Sequence, residues 1–178
     1  MVKPGIVGFS VNRKGLLPKL IKFFTGSRWS HSFLIVNPIY GLESVQEASL
    51  VVQFIPFDAH YRKNVSQEYV LFAPSGVSEE KIEAALTLCY REFAGVKYGY
   101  LSLFWFVYRW LMEKIGVDVR KRKNWMSDGV ICSELVFYFL EALGEPFTEI
   151  LADFNPDTIQ PEDLYKIVVS RQDLFESV

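Results

Sequence analysis

Residues 128–136 of the chain read Asp128-Gly129-Val130-Ile131-Cys132-Ser133-Glu134-Leu135-Val136. Asp128 is a residue type favoured at helix N-caps, and the apolar residues after it recur at helical spacing, so we predict a helix over residues 130–143. Gly144 and Pro146 end this helix. The Cys132 thiol then lies in the first turn, where unpaired backbone N–H groups and the helix dipole favour a thiolate. This position makes Cys132 a candidate nucleophile.

A structural role for Cys132 is the alternative. The residue shares one predicted helical face with Leu135 and Phe139, and cysteine is among the residue types most often buried. Cys89 provides the comparison, because it falls in the middle of a predicted helix that begins at Ser78, far from any helix N-terminus. We expect Cys89 to belong to the core.

The rest of the chain has most of its predicted strands early and its predicted helices late. Strands are predicted over residues 6–10, 31–36, 44–53, 69–73 and 165–169. Further helices are predicted over residues 18–24, from Ser78 onward, and over residues 101–115, where Gly116 ends the helix. This order predicts the α+β class, with an antiparallel sheet packed against helices in a single domain over residues 1–178.

His31 is the second candidate for a chemical role, because it stands where a polar loop meets a predicted strand. If the hairpin that follows closes with Val36 opposite Leu42, His31 lies opposite Glu47, and a carboxylate there can hold one ring nitrogen. This depends on the strand register, which a slip of one residue would reverse, and a lone histidine is often only a hydrogen-bonded structural residue. His60 lies in a polar segment typical of a loop, and we expect no catalytic role for it.

Composition excludes several classes of protein. The 178 residues carry 19 Lys or Arg and 21 Asp or Glu, and the net charge of -2 argues against a nucleic-acid binder. Two cysteines cannot build a disulfide framework, which favours a reducing compartment. The chain shows no secretory signal, and its most apolar stretch has about 13 residues, whereas a spanning helix needs about 20. We therefore expect a cytoplasmic protein.

Several segments, taken in chain order, resemble the circularly permuted papain-like cysteine hydrolases of the NlpC superfamily, in the YiiX/YebB-like branch. The segments are Gly26-Ser27-Arg28-Trp29-Ser30-His31-Ser32, Gln46-Glu47-Ala48, Val96-Lys97-Tyr98, Ile131-Cys132-Ser133-Glu134-Leu135-Val136 and Ile159-Gln160-Pro161-Glu162-Asp163-Leu164. The histidine precedes the cysteine by about a hundred residues, as in the permuted members, and only spatial geometry matters to the chemistry. The sequence departs from many members at Ile6, which follows Gly5, and at Gly99, which follows Tyr98; both positions are often acidic in the family.

The resemblance implies a permuted papain-like fold and a role for each of four residues. It implies that Cys132 is the nucleophile, that His31 is the general base and acid, and that Glu47 orients the histidine. It also implies that Tyr98 contacts the substrate or the oxyanion. The implied activity is hydrolysis of amide bonds, with peptides of the peptidoglycan type as substrate and without a cofactor.

Three alternatives remain open at this stage. The same thiol can act on lipid esters or transfer acyl groups, as in the related lecithin:retinol acyltransferase group. The chain can also be a catalytically silent binding module of the same fold. Cys132, His31 and Glu47 can finally be metal ligands, but a fourth ligand with a local motif is missing from the sequence.

Residues 100–110 are unusually aromatic, and a run of four cations follows them at residues 120–123. The apolar residues lie nearly all round the predicted helix, which is typical of a buried helix, although this helix can also wall a substrate groove. The basic run is typical of a solvated loop. An aromatic helix with a basic loop also suits contact with anionic lipid headgroups or a cell-wall polymer.

Overall fold

The computed structural model describes residues 3–12, 22–23, 26–44, 51–57, 67–125 and 129–178 of the 178-residue chain. These residues contain one antiparallel sheet with the strand order β4-β3-β2-β1-β5-β6. The strands are β1 (Ile6–Asn12), β2 (His31–Ile35), β3 (Tyr40–Ser44), β4 (Val52–Pro56), β5 (Gln67–Pro74) and β6 (Phe175–Ser177). The α-helices are α1 (Glu79–Phe93), α2 (Ser102–Lys114), α3 (Cys132–Ala142), α4 (Phe147–Leu151) and α5 (Pro161–Ser170). The predicted α+β class and antiparallel sheet are confirmed.

The main core lies between one face of the sheet and helix α3. Val7 and Phe9 of β1 and Leu34 of β2 are fully buried in one cluster with Leu135 and Phe139 of α3. Because alternate residues of a strand point to opposite faces, Ser32 lies on the same face as Leu34. A smaller apolar cluster covers the other face, and it contains Ile6, Phe33, Ile35, Phe57 and Leu71. Helix α3 is therefore held directly against β2, the strand that begins at His31.

The hairpin between β2 and β3 has a different register from the predicted one. Leu34 pairs with Leu42, whereas the predicted pairing placed Val36 opposite Leu42. The Asn37 carboxamide oxygen accepts hydrogen bonds from the backbone N–H groups of residues 39 and 40, at 2.8 and 2.9 Å, and so closes a turn shorter than predicted. The predicted register is thus wrong by two residues. A shift of two preserves the face of each side chain but not its direct partner.

The predicted single strand over residues 44–53 is also wrong, because Ser44 pairs with Val52 across two antiparallel strands, β3 and β4. Residues 45–50 between them lie outside the described part of the chain. Glu47 is among them, so its predicted position opposite His31, which rested on the incorrect register, stays a prediction. Most of the predicted helix over residues 18–24 also lies outside the described residues, and the described residues Lys22 and Phe23 are helical.

The predicted last strand over residues 165–169 is wrong as well, since these residues lie in α5. Pro161 occupies the first turn, and the Asp163 carboxylate accepts a hydrogen bond from Gln160 N at 3.0 Å, which caps the helix. Leu164 and Val168 are buried at a spacing of four residues. The apolar run of residues 165–169 suggested a strand, but the cap and the helical spacing decide the structure. The last strand is β6.

The other predicted helices are confirmed within a few residues. The Ser78 hydroxyl accepts a hydrogen bond from Lys81 N at 3.3 Å at the start of α1. Gly116 and Gly144 follow α2 and α3 with φ of 79° and 69°, the left-handed conformation that ends helices. Among the described residues, no helix has the length and hydrophobicity needed to cross a membrane.

Candidate active site

Cys132 is the first residue of α3, with Ile131 as the N-cap in an extended conformation. The helix therefore starts two residues later than predicted, and the predicted N-cap, Asp128, lies outside the described residues. Backbone pairing explains the later start. Val130 N donates to Lys97 O at 2.9 Å, and Gly99 N donates to Val130 O at 3.3 Å, which holds this segment extended until Cys132. The predicted position of the thiol, in the first turn of the helix, is confirmed.

This pairing requires a glycine at position 129 and brings Tyr98 beside the start of α3. A Cβ atom on Gly129 would collide with the backbone carbonyl of Lys97. Tyr98 is buried in a cluster with Ile131, the residue before Cys132, and its ring centroid lies 5.0 Å from that of Tyr100. The structure thus brings Tyr98 close to the candidate nucleophile. Its contact with a substrate stays a prediction.

The imidazole of His31 is a hydrogen-bond partner of the Cys132 thiol. His31 is the first residue of β2, and its ring stacks on Phe33 with a centroid distance of 6.3 Å. Burial raises the pKa of Cys132, but the charge of His31 and hydrogen bonds from His31 and Ser32 outweigh burial, so the net pKa lies below its ordinary value of 9.0. The site therefore favours a thiolate beside an imidazolium.

Ser32 is a site residue that the sequence analysis missed. Its backbone N–H and its hydroxyl both interact with the Cys132 sulfur and lower the pKa of the thiol. The side chain is fully buried, and its hydroxyl makes no hydrogen bond of normal geometry to any group in the described part of the chain, the Cys132 sulfur included. The sequence signal was the alternation of side chains along the strand. It places Ser32, the residue after His31, on the same face as Leu34, which is the face that α3 covers.

Cys89 has the opposite environment. It is buried in the main core cluster with Ala85 and Leu86, as the sequence predicts. Burial raises the pKa of the Cys89 thiol to about 12, and no charged or polar group among the described residues offsets it. The two cysteines are both almost fully buried, so their different pKa directions come from their polar neighbours.

A buried carboxyl group supports the first turn of α3. Glu134 accepts a hydrogen bond from Ile131 N at 3.3 Å and lies next to the carboxylate of Asp157. Burial, together with the charge of Asp157 and a hydrogen bond with it, raises the pKa of Glu134 to about 8. Glu134 is thus protonated at neutral pH and able to donate to Asp157. Nothing in the sequence pattern indicated this pair, because Asp157 is distant in the chain.

We expect Glu134→Gln to flatten the pH dependence of stability. In the folded protein the proton is held up to the pKa of about 8, whereas an unfolded carboxyl group loses it near 4.5. The stabilisation from this proton is therefore complete below about pH 4.5 and is lost as the pH rises through about 8. The free energy of unfolding is measured in urea at about pH 5.5 and about pH 8.5. Between these pH values it should fall by up to a few kcal/mol more in wild type than in Glu134→Gln.

Glu141→Gln is the matched control for this experiment, since Glu141 is exposed on the same helix. It should keep the wild-type slope of stability against pH. Equal slopes for wild type and Glu134→Gln would contradict a proton held on this carboxyl group.

The C-terminal segment closes over the start of α3. The Ser133 hydroxyl donates to Ile159 O at 2.6 Å, and the Ser27 hydroxyl donates to the Glu162 carboxylate at 2.9 Å. The ring of Trp29, near His31 in the chain, packs against that of Tyr165 in a tilted arrangement, at a centroid distance of 5.1 Å. The quoted segments that lie within the described residues therefore meet around Cys132.

Glu47, the predicted orienting group, and His60, the second histidine, both lie outside the described residues. Over the described residues, no group of three or more His, Cys, Asp or Glu side chains is arranged to hold a metal ion. Of the three side chains considered as metal ligands, the structure describes Cys132 and His31, whereas Glu47 lies outside the described residues, so the metal alternative stays an untested alternative.

The comparisons with known proteins give a fold. No family model matches the chain, and no curated protein matches it. A solved structure, that of the metalloprotein yiiX, DUF1105, from Escherichia coli O157:H7, is similar with a TM-score of 0.51. The similarity covers 99% of this chain and 96% of that chain, at 19% sequence identity. The two chains share a fold.

Proposed function

We propose that this protein is a cysteine hydrolase that cleaves amide bonds through Cys132 and His31. The observation that carries the proposal is the state of the Cys132 thiol. This thiol is buried at the first residue of α3, and the His31 imidazole lowers its pKa. Burial alone acts in the other direction, as Cys89 illustrates. An arrangement that overcomes burial to favour a thiolate is typical of nucleophilic cysteines.

The proposed reaction proceeds through an acyl-enzyme. The Cys132 thiolate attacks the carbonyl carbon and forms a C–S bond, while the developing oxyanion accepts hydrogen bonds from backbone N–H groups at the start of α3. His31 protonates the departing amine as the C–N bond breaks. It then removes a proton from water, which attacks the thioester and releases the acid and the thiolate.

Ser32 and Glu47 have supporting roles in this proposal. Donation from the Ser32 N–H and hydroxyl stabilises the thiolate before it attacks. Glu47 is proposed to hold the second ring nitrogen of His31, a role that rests on the family resemblance. Tyr98, buried beside Ile131, is proposed to contact the substrate.

Peptides of the peptidoglycan type are the proposed substrates, on the strength of the resemblance to permuted papain-like hydrolases. The structural neighbour is named a metalloprotein, whereas among the described residues of this chain no group of three or more His, Cys, Asp or Glu side chains is arranged to hold a metal ion. The proposed mechanism uses no metal ion, so turnover is expected to persist in a chelator.

A lipid ester is the second candidate substrate, and the position of α2 favours it. Trp105 and Phe106 of α2 are buried in the cluster that includes Ile131, directly before Cys132. An apolar, aromatic wall beside the nucleophile suits an acyl chain as well as a peptide. The same thiol would then form its acyl-enzyme from an ester.

The test is turnover of muropeptides and of a phospholipid by wild type and by Cys132→Ala, with Cys89→Ala as the matched control. We expect muropeptide cleavage that is lost in Cys132→Ala and kept in Cys89→Ala. If wild type cleaves only the phospholipid, and Cys132→Ala does not, the substrate is a lipid ester rather than a peptide amide. Failure of wild type on both, with an unreactive Cys132 thiol, would favour a silent binding module.

A further inference from the structure

Helix α2 and its C-cap Ile115 expose an apolar stripe, formed by Phe104, Leu111 and Ile115 together with the half-buried Tyr108. The spacing of these residues, four, three and four, places them on one face of the helix. Phe104 is 60% exposed and Ile115 is 69% exposed, and Leu111 is also exposed. Sequence analysis favoured burial on all sides of this helix, and that prediction is wrong for this face.

The opposite side of α2 is fixed to the rest of the molecule. Trp105 and Phe106 are buried, and the Arg109 guanidinium forms an ion pair with the Asp163 carboxylate of α5 at 2.6 Å. The Arg109 guanidinium also forms an ion pair with the Glu113 carboxylate at 2.7 Å. The stripe therefore faces outward from a helix whose inner side is anchored by packing and a buried ion pair.

Cations flank the stripe on one side. Trp125 is 68% exposed, and its ring lies 5.4 Å from that of Tyr108 and 4.8 Å from that of Trp105. The exposed residues just before it are Lys121, Arg122 and Lys123. Lys121 pairs with Asp153, whereas Arg122 and Lys123 form no ion pair with any residue in the described part of the chain.

Cations lie on the other side of the helix as well. The Lys114 ammonium lies 5.7 Å above the Trp110 ring, and the exposed Phe23 ring lies 6.4 Å from the same ring. Phe23 follows Lys22 in the chain. The apolar stripe is thus bordered on this side by the Lys114 cation, next to a segment that carries Lys22.

We propose that the stripe and its flanking cations dock the protein on an anionic lipid bilayer. Aromatic and aliphatic side chains enter the boundary between headgroups and acyl chains, while lysine and arginine attract the anionic headgroups. A second copy of this chain is a poorer occupant, because a two-fold contact would bring the same cations together. This docking is separate from the proposed hydrolysis and requires no active thiol.

The test is flotation of the full chain with vesicles of phosphatidylcholine alone or with about 30% phosphatidylglycerol, at low and high salt. We expect binding to the anionic vesicles that falls steeply with salt, together with a blue shift of the exposed Trp125 emission. Ile115→Gln should weaken the partition about fivefold or more. Arg122→Gln with Lys123→Gln should weaken it about fivefold per charge.

Two exposed residues away from the stripe provide matched controls. Ile39, 62% exposed in the turn between β2 and β3, and Arg91 of α1 should both tolerate replacement by Gln without loss of binding. Equal binding to neutral and anionic vesicles, no binding to either, or equal loss in Ile39→Gln and Ile115→Gln would overturn the proposal. A dimer in solution that Ile115→Gln dissociates, without vesicle binding, would assign the stripe to a second copy instead.

Discussion

Iodoacetamide at about neutral pH is expected to alkylate Cys132 on the order of 100 times faster than Cys89 in the folded protein. The thiolate is the reacting form, and burial raises the pKa of Cys89 to about 12, so almost none of it is ionised. The pKa of Cys132 is lowered below 9.0 by His31 and Ser32. The lower intrinsic nucleophilicity of a low-pKa thiolate reduces this advantage but does not remove it.

Peptide mass mapping over a time course measures the two rates in one sample. Unfolding in urea is the control, because both thiols should then react at similar rates. Faster labelling of Cys89 in the folded protein, or equal rates before and after unfolding, would contradict an activated Cys132.

Replacement of His31 by Gln is expected to lower the turnover of the amide substrate on the order of 10³-fold. Gln keeps a hydrogen-bonding group of similar size, but it cannot carry the positive charge that lowers the pKa of Cys132 or transfer a proton to the leaving amine. The loss should appear mainly in kcat. The binding of the substrate relies on other groups, so KM should change little.

His60→Gln is the matched control, because the sequence contains two histidines and His60 lies in a polar segment with no expected role in the chemistry. It should retain nearly full turnover. Loss of activity in His60→Gln rather than in His31→Gln would exchange the two histidines in the mechanism.

The helices and the class of fold could be predicted because their signals are local. Ser78 caps α1, Gly116 and Gly144 follow α2 and α3, and helical spacing supplies the rest. The register of the β2–β3 hairpin depended on the length of one turn, which the Asn37 side chain shortens. Residues 165–169 have strand composition, but the cap at Gln160 is a stronger local signal than composition.

The candidate site was predictable where it follows from a helix terminus. Cys132 could be placed in the first turn from the chain alone, and His31 was singled out at the start of a strand. Their contact and the donation from Ser32 depend on the packing of α3 against β2, between residues about a hundred positions apart. The contact between Glu134 and Asp157 is non-local in the same way, and no periodic pattern in the sequence predicts it.

Titration of the Cys132 thiolate tests the central claim most directly. The ultraviolet absorbance of thiolate is followed against pH as the difference between wild type and Cys132→Ala, and the same difference is taken in the His31→Gln background. We expect a midpoint below 9.0 in wild type, a higher midpoint in His31→Gln, and a smaller rise of the midpoint in Ser32→Ala. A wild-type midpoint above 9.0 that His31→Gln leaves unchanged would contradict this claim.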